Sequence, residues 1–140
     1  MITIRDARES DAEAVASLSR ELGYEVTTKE ARQRLPSAVV FVAEEDGVVV
    51  GWCQVAAVPS VVHDPFAEIR GLVVTQSRRS AGIGRALLDR VEEWTRQQGM
   101  THIRVHSNVV RERARKFYET NGYAVTKTSN VFDKVIGTSR

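Results

Sequence analysis

The run Arg78-Arg79-Ser80-Ala81-Gly82-Ile83-Gly84-Arg85 concentrates the residue types that can do chemistry in this sequence. Glycines at 82 and 84 remove Cβ atoms, so the backbone there can approach a ligand closely. If a helix begins at this point, its first N–H groups have no partner inside the helix and carry the positive end of its dipole, which suits phosphate oxygens. Arg78, Arg79 and Arg85 can add paired hydrogen bonds to such an anion. The same residue types also build an ordinary turn with a solvated rim, so the run alone leaves both readings open. Two common phosphate motifs are absent. A dinucleotide fingerprint requires a small residue where Leu87 stands, and a P-loop requires Gly-Lys-Ser/Thr where the chain has Gly84-Arg85-Ala86.

The elements that must position this turn are legible on both sides of it. Before it, Ile69-Arg70-Gly71-Leu72-Val73-Val74 has the content of a largely buried strand. After it, Ile83, Leu87, Val91 and Trp94 recur at helical spacing with charged residues elsewhere, and Gly99 supplies the stop. Upstream, Ile2 and Ile4 alternate as a short strand, and Ser10 with Glu13 forms a capping-box signature for a helix running to Gly23. Thr27 with Glu30 predicts a second box, for a short helix that Pro36 ends. Residues 38–44 and 48–58 read as a hairpin around Glu45-Asp46-Gly47. Downstream come a strand at 101–107, a helix at about 111–120 stopped by Asn121-Gly122, and two closing strands at 123–128 and 131–136. An antiparallel meander followed by a strand-helix-strand unit predicts an α/β (α+β mixed) fold, with a mixed central sheet flanked by helices on both faces.

Composition narrows the function classes. The length of 140 residues suits one domain spanning 1–140, and 42% hydrophobic content supplies a core for it. A net charge of +2 is small against 20 basic and 18 acidic residues, which argues against an obligatory nucleic-acid partner. No run of about eighteen apolar residues exists to span a bilayer, and the first residues lack the apolar core of a signal peptide. A lone Cys53 in an apolar run fits a reducing, cytoplasmic setting. His63, His102 and His106 have no metal-ligand spacing, so no metal site is expected.

Two motifs, taken together, resemble the GNAT superfamily of N-acetyltransferases. Arg79, Gly82 and Gly84 fill the family's signature of Arg or Gln, two residues, Gly, one residue, then Gly or Ala. Ala114, Phe117, Tyr118, Gly122 and Tyr123 match the family's later motif, and the elements between the motifs follow the family order. The match covers roughly residues 38–136, while the first 35 residues agree in element order only.

The resemblance implies an enzyme that moves an acetyl group from acetyl-CoA, its cosubstrate, to a primary amine of a small molecule or protein by direct attack. It places the pyrophosphate on Arg79, Ser80, Ala81, Gly82, Ile83, Gly84 and Arg85, and the pantetheine arm along the backbone of Leu72, Val73 and Val74. An alkylamine with a pKa near 10.4 must lose a proton before it attacks, and Glu68, at the start of the central strand, is the candidate base. In the family such a Glu often lies two positions nearer the loop, where this chain has Arg70. A departing thiolate needs an acid, and Tyr118 matches the family's tyrosine. Where many members have a cofactor-contacting Asn, this chain has Arg111, with Asn108 three residues earlier; both are candidates for the cofactor. The first third helps shape the acceptor cleft, where Tyr24 and Glu25 are candidates, and a homodimer is common in the superfamily. Two other readings stand beside this one: a non-catalytic acetyl-CoA-binding or regulatory module, and an RNA-associating domain using the basic stretch 111–116.

Overall fold

The computed structural model describes residues 1–79, 81–107 and 110–138, and divides them into two compact units, Met1–His106 and Ser107–Arg140. The first unit holds one sheet of five strands: β1 (Ile2–Asp6), β2 (Val39–Glu45), β3 (Val48–Val58), β4 (Phe66–Val74) and β5 (Ile103–Val105). The strands lie in chain order. The first four pair antiparallel, and β4 pairs parallel with β5. The β2–β3 turn forms because Asp46 and Gly47 both take positive φ, 52° and 79°, which a tight two-residue hairpin needs.

Helices α1 (Ala12–Glu21), α2 (Thr28–Arg34) and α3 (Ile83–Gln97) cover this sheet. Side chains alternate along β3, so Gly51 and Cys53 face one side, with Trp52 and Gln54 on the other. A Cβ on Gly51 would lie 3.3 Å from the side chains of Ile83 and Leu87, so α3 packs on the Gly51 face. Val15 and Ser19 of α1 and Ala31 of α2 border the same hollow as Trp52 and Gln54, so these two helices cover the opposite face. Ile83, Leu87, Leu88 and Val91 are buried at the α3 contact, each stabilising the fold by about 1.5–3 kcal/mol. The Thr27–Glu30 box forms as expected. Glu30 N–H donates to Thr27 Oγ1 at 3.1 Å, and Thr27 N–H donates to the Glu30 carboxylate at 3.0 Å.

The second unit contains α4 (Glu112–Thr120), stopped at Gly122 with φ of 91°. Arg115 and Glu119 pair across one turn at 3.5 Å, and the Tyr118 ring meets those of Phe117 and Tyr123 edge-on at 5.2 and 5.7 Å.

Several expectations differ from the structure, among them the strand expected at 101–107, which spans Ile103–Val105. The Ser10–Glu13 box does not start α1; Asp11 accepts from Arg8 N–H at 2.7 Å, and a short 3-10 turn over Glu9–Asp11 precedes the helix. Asp11 prevails because Arg5 also grips it, through bonds of 2.8 and 3.0 Å. β4 begins two residues early, since Phe66 and Ala67 pair with Val58 and Ala57. The closing strands at 123–128 and 131–136 are absent. Their β-branched residues favour extended backbone, but a strand exists only against a partner, and among the described residues this stretch has none in any ladder.

Candidate active site

The first feature of the site is an interruption in β4. Gln54 pairs with Gly71, but Val55 pairs with Ile69, so the register steps over Arg70. An extra residue of this kind bends a strand and re-aims its side chains. Arg70 and Gly71 therefore both reach the hollow beneath α1 and α2, and Glu68 comes onto the same face as Gln54 and Gly71. The recorded pairs between β4 and β5 run only from Ala67 to Ile69. Leu72, Val73 and Val74 pair with Cys53, Trp52 and Gly51 on one side, and among the described residues no strand pairs with their other edge. That edge presents backbone N–H and C=O groups that an extended ligand can pair with, as an added strand would.

The hollow is a cavity of about 490 Å³ within the first unit, in the range of small-molecule sites. Its floor is sheet, including Val40, Trp52, Gln54, Gly71 and Val73, and its walls include Ser19, Tyr24, Ala31, Arg34 and Leu35. The Trp52 ring packs against Gly71, where any Cβ would sit 2.8 Å from it. This contact explains a glycine in the middle of an apolar strand. Tyr24 is among the described residues that line the cavity, and Glu25 is not.

Glu68, 9% exposed, is held from two directions. Arg70 Nη1 donates to Oε1, and His106 Nε2 lies 3.4 Å from Oε2. The expected base is thus an ion-paired carboxylate beside a histidine that residue spacing did not single out. Cys53 is fully buried, and burial pushes its thiol up to about 12, so it supplies no thiolate near neutrality.

The glycine turn is held by its neighbours. Glu21 at the end of α1 accepts from Thr75 Oγ1 at 3.1 Å and from Gln76 N–H at 3.2 Å, while Arg78 pairs with Glu45 of β2. Arg78 is thereby committed to holding the turn. Gly82 is the N-cap of α3 with φ of 83°, a conformation glycine adopts without strain. Among the described residues no side chain caps this end. Arg79 lies in extended backbone just before the turn, and Arg85 pairs with Asp89 at 3.3 Å on the exposed side of α3. Ala81 precedes the cap, and Ile83 and Gly84 open the helix, with Ile83 buried against the sheet. Ser80 and Asn108 lie outside the described residues. In the second unit Arg111 is the N-cap of α4 and Tyr118 belongs to that helix.

Residue spacing missed the cavity's floor and walls. Trp52, Gln54 and Arg34 carry no motif, and the one available signal was Gly71 inside a strand pattern, which marks a close approach.

Comparisons with known proteins bear on what this arrangement does. The chain is 31% identical over 134 residues to an aminoglycoside N(6')-acetyltransferase type 1 of Stenotrophomonas maltophilia, covering 89% of this chain and 88% of that one. It is 29% identical to an uncharacterized N-acetyltransferase, YhfO, of Bacillus subtilis, over 87% of this chain and 89% of the relative. Among solved structures, aminoglycoside N-acetyltransferase AAC(6')-Iy in complex with CoA superposes with a TM-score of 0.85 at 18% identity, covering 96% of this chain and 95% of that one. A ribosomal-protein-alanine N-acetyltransferase from Brucella melitensis gives 0.83 at 22%, over 96% and 100%. At such identities these likenesses establish the fold. The family model described as "Acetyltransferase (GNAT) family" matches residues 4–123, and with it this chain belongs to that family of acetyl-CoA-dependent N-acetyltransferases.

Proposed function

We propose that residues 1–140 act as one acetyltransferase domain that takes a small primary amine into the cavity and acetylates it at the open edge of β4. The observation that carries this reading is the unpartnered edge at Leu72–Val74, which continues from the cavity floor toward the uncapped start of α3. The pantetheine arm pairs with that edge, and the pyrophosphate rests on the turn from Arg79 to Arg85, with Asn108 or Arg111 as further contacts. The family match across both units supports treating them as one domain.

In the reaction the substrate ammonium first loses a proton, directly or through water, to Glu68 and then to solvent. The neutral nitrogen attacks the thioester carbonyl carbon, forming the N–C bond. A backbone N–H of β4 donates to the developing oxyanion, at no reorganisation cost because the strand already fixes it. The C–S bond then breaks. Tyr118 gives its proton to the departing sulfur and regains one as the nitrogen sheds its remaining excess proton. One proton is released overall. The absence of a thiolate at Cys53 supports direct attack over an acyl-enzyme.

Titration calorimetry with acetyl-CoA, paired with thiol detection of CoA release on a panel of amines, tests this. Wild type is expected to bind acetyl-CoA and release CoA. A Gly82→Val variant is expected to bind at least tenfold more weakly, because a side chain is strained at positive φ and stands beside the phosphate contacts. An absence of acetyl-CoA binding by wild type refutes the reading. One observation favours a second reading, a non-catalytic acetyl-CoA-binding module: the Glu68 carboxylate is already engaged by Arg70. Intact binding without CoA release on any amine would decide for it.

A further inference from the structure

We propose that the amine accepted in this cavity is a small α-amino carboxylate with an apolar side chain, not a polycation such as an aminoglycoside. The inference rests on the acetyltransferase reading above and adds the acceptor class. Its ground is the character of the lining. Among the described residues, Arg34 and Arg70 are the charged ones that line the cavity, and no carboxylate lines it. Outside the lining, Glu30 pairs with Arg34 at 3.4 Å and Glu68 pairs with Arg70, so one carboxylate, that of Glu68, lies on the same sheet face. Each of these arginine contacts uses one N–H of a guanidinium that has five. Both therefore retain donors in the planar fork that matches a carboxylate.

An aminoglycoside carries several ammonium groups, and each needs an acceptor or carboxylate to replace its water. This cavity would instead set them beside two guanidiniums, a like-charge arrangement that disfavours binding. A zwitterionic amino acid asks for something different: a donor fork for its carboxylate, one acceptor for its ammonium, and an apolar surface for its side chain. Arg34 or Arg70 supplies the fork. Glu68, on the same sheet face, supplies one carboxylate toward the amine. Trp52, packed against Gly71, and Leu35 and Val73 supply the apolar surface.

Three acceptors separate the possibilities: L-phenylalanine, phenethylamine, which lacks only its carboxylate, and tobramycin as the polycation. CoA release is expected to show kcat/KM for phenylalanine at least tenfold above both others. Arg34→Gln is expected to shrink the phenylalanine-to-phenethylamine ratio about tenfold, mainly through the KM for phenylalanine. Binding is read independently by tryptophan fluorescence: phenylalanine should perturb the wild-type signal, and Trp52→Phe, which leaves Trp94 as the reporter, should lose that response. Preference for tobramycin, or equal use of phenylalanine and phenethylamine, overturns the acceptor class while leaving the acetyltransferase reading standing. Acetyl-CoA binding with neither turnover nor a fluorescence response to phenylalanine also overturns the class. A fluorescence response without acetyl-CoA binding sinks the acetyltransferase reading and keeps the carboxylate site.

Discussion

Arg5 joins three parts of the first unit through single side chains. Its guanidinium donates to both oxygens of Asp11 and, at 2.8 Å, to Glu44 of β2, so the start of α1 is tied to the sheet. Hydrogen bonds from Arg5 hold the Asp11 carboxyl below its usual range. A carboxylate with a folded pKa below its unfolded value contributes stability that is present above about pH 4 and is lost as pH falls through the folded value. Asp11→Asn is therefore expected to cost about 2–4 kcal/mol at neutral pH, since it leaves Arg5 partly buried without its main partner. Urea unfolding at several pH values checks this, and the gap from wild type should narrow below pH 4. Tyr118 acts at the same scale. Tyr118→Phe is expected to lower kcat by about 10²-fold or more with little change in acetyl-CoA affinity, if the hydroxyl is the acid in the transfer step. An unchanged kcat would remove Tyr118 from the chemistry.

The strands and helices set what a single side chain can do, and two glycines show it. At Gly51 a Cβ would sit 2.9 Å from the Val73 carbonyl oxygen, which is backbone and cannot move aside cheaply. Gly51→Ala should destabilise the fold by about 1–3 kcal/mol, measured as a lowered unfolding midpoint. Gly71→Ala meets the Trp52 ring instead, which can swing into the cavity. Its main effect is expected on the acceptor, as a raised KM with acetyl-CoA affinity little changed. Most of the elements were legible in the sequence because local chemistry specifies them. The Asp46-Gly47 turn, the Thr27–Glu30 box, the apolar stripe from Ile83 to Val91 and the stop at Gly99 each rest on residues close together in the chain. What was illegible depends on partners far away. The Ser10 cap lost to Asp11 because Arg5, from β1, grips that carboxylate. The step over Arg70 in the β3–β4 register leaves no mark in composition, yet it brings Arg70 and Glu68 to one face. The glycine turn was therefore readable as a motif, while the cavity proposed to take the acceptor was not.

At the scale of the whole molecule, the core and the catalytic candidates are distributed differently. Every buried apolar residue among the described ones falls between Ala12 and Met100, inside the first unit. The second unit buries none of its described residues and exposes Val131, Phe132, Val135 and Ile136. Burial of apolar surface is the main force that stabilises a fold, so the residues that hold this protein together end before His106. Tyr118, the proposed acid, lies beyond that point. A fragment of residues 1–106 is accordingly expected to keep the sheet signature in circular dichroism and to unfold cooperatively. Residues 107–140 alone are expected to be unfolded in water, since a nine-residue helix without a buried face is marginal. The fragment should retain the fluorescence response to the acceptor, because every residue lining the cavity lies within it. It should release no CoA, because the acid is gone. A fragment that unfolds would show that burial within the first unit is insufficient to hold the sheet. One that folds and still turns over acetyl-CoA would relocate the acid to the first unit, where His106 lies 3.4 Å from Glu68.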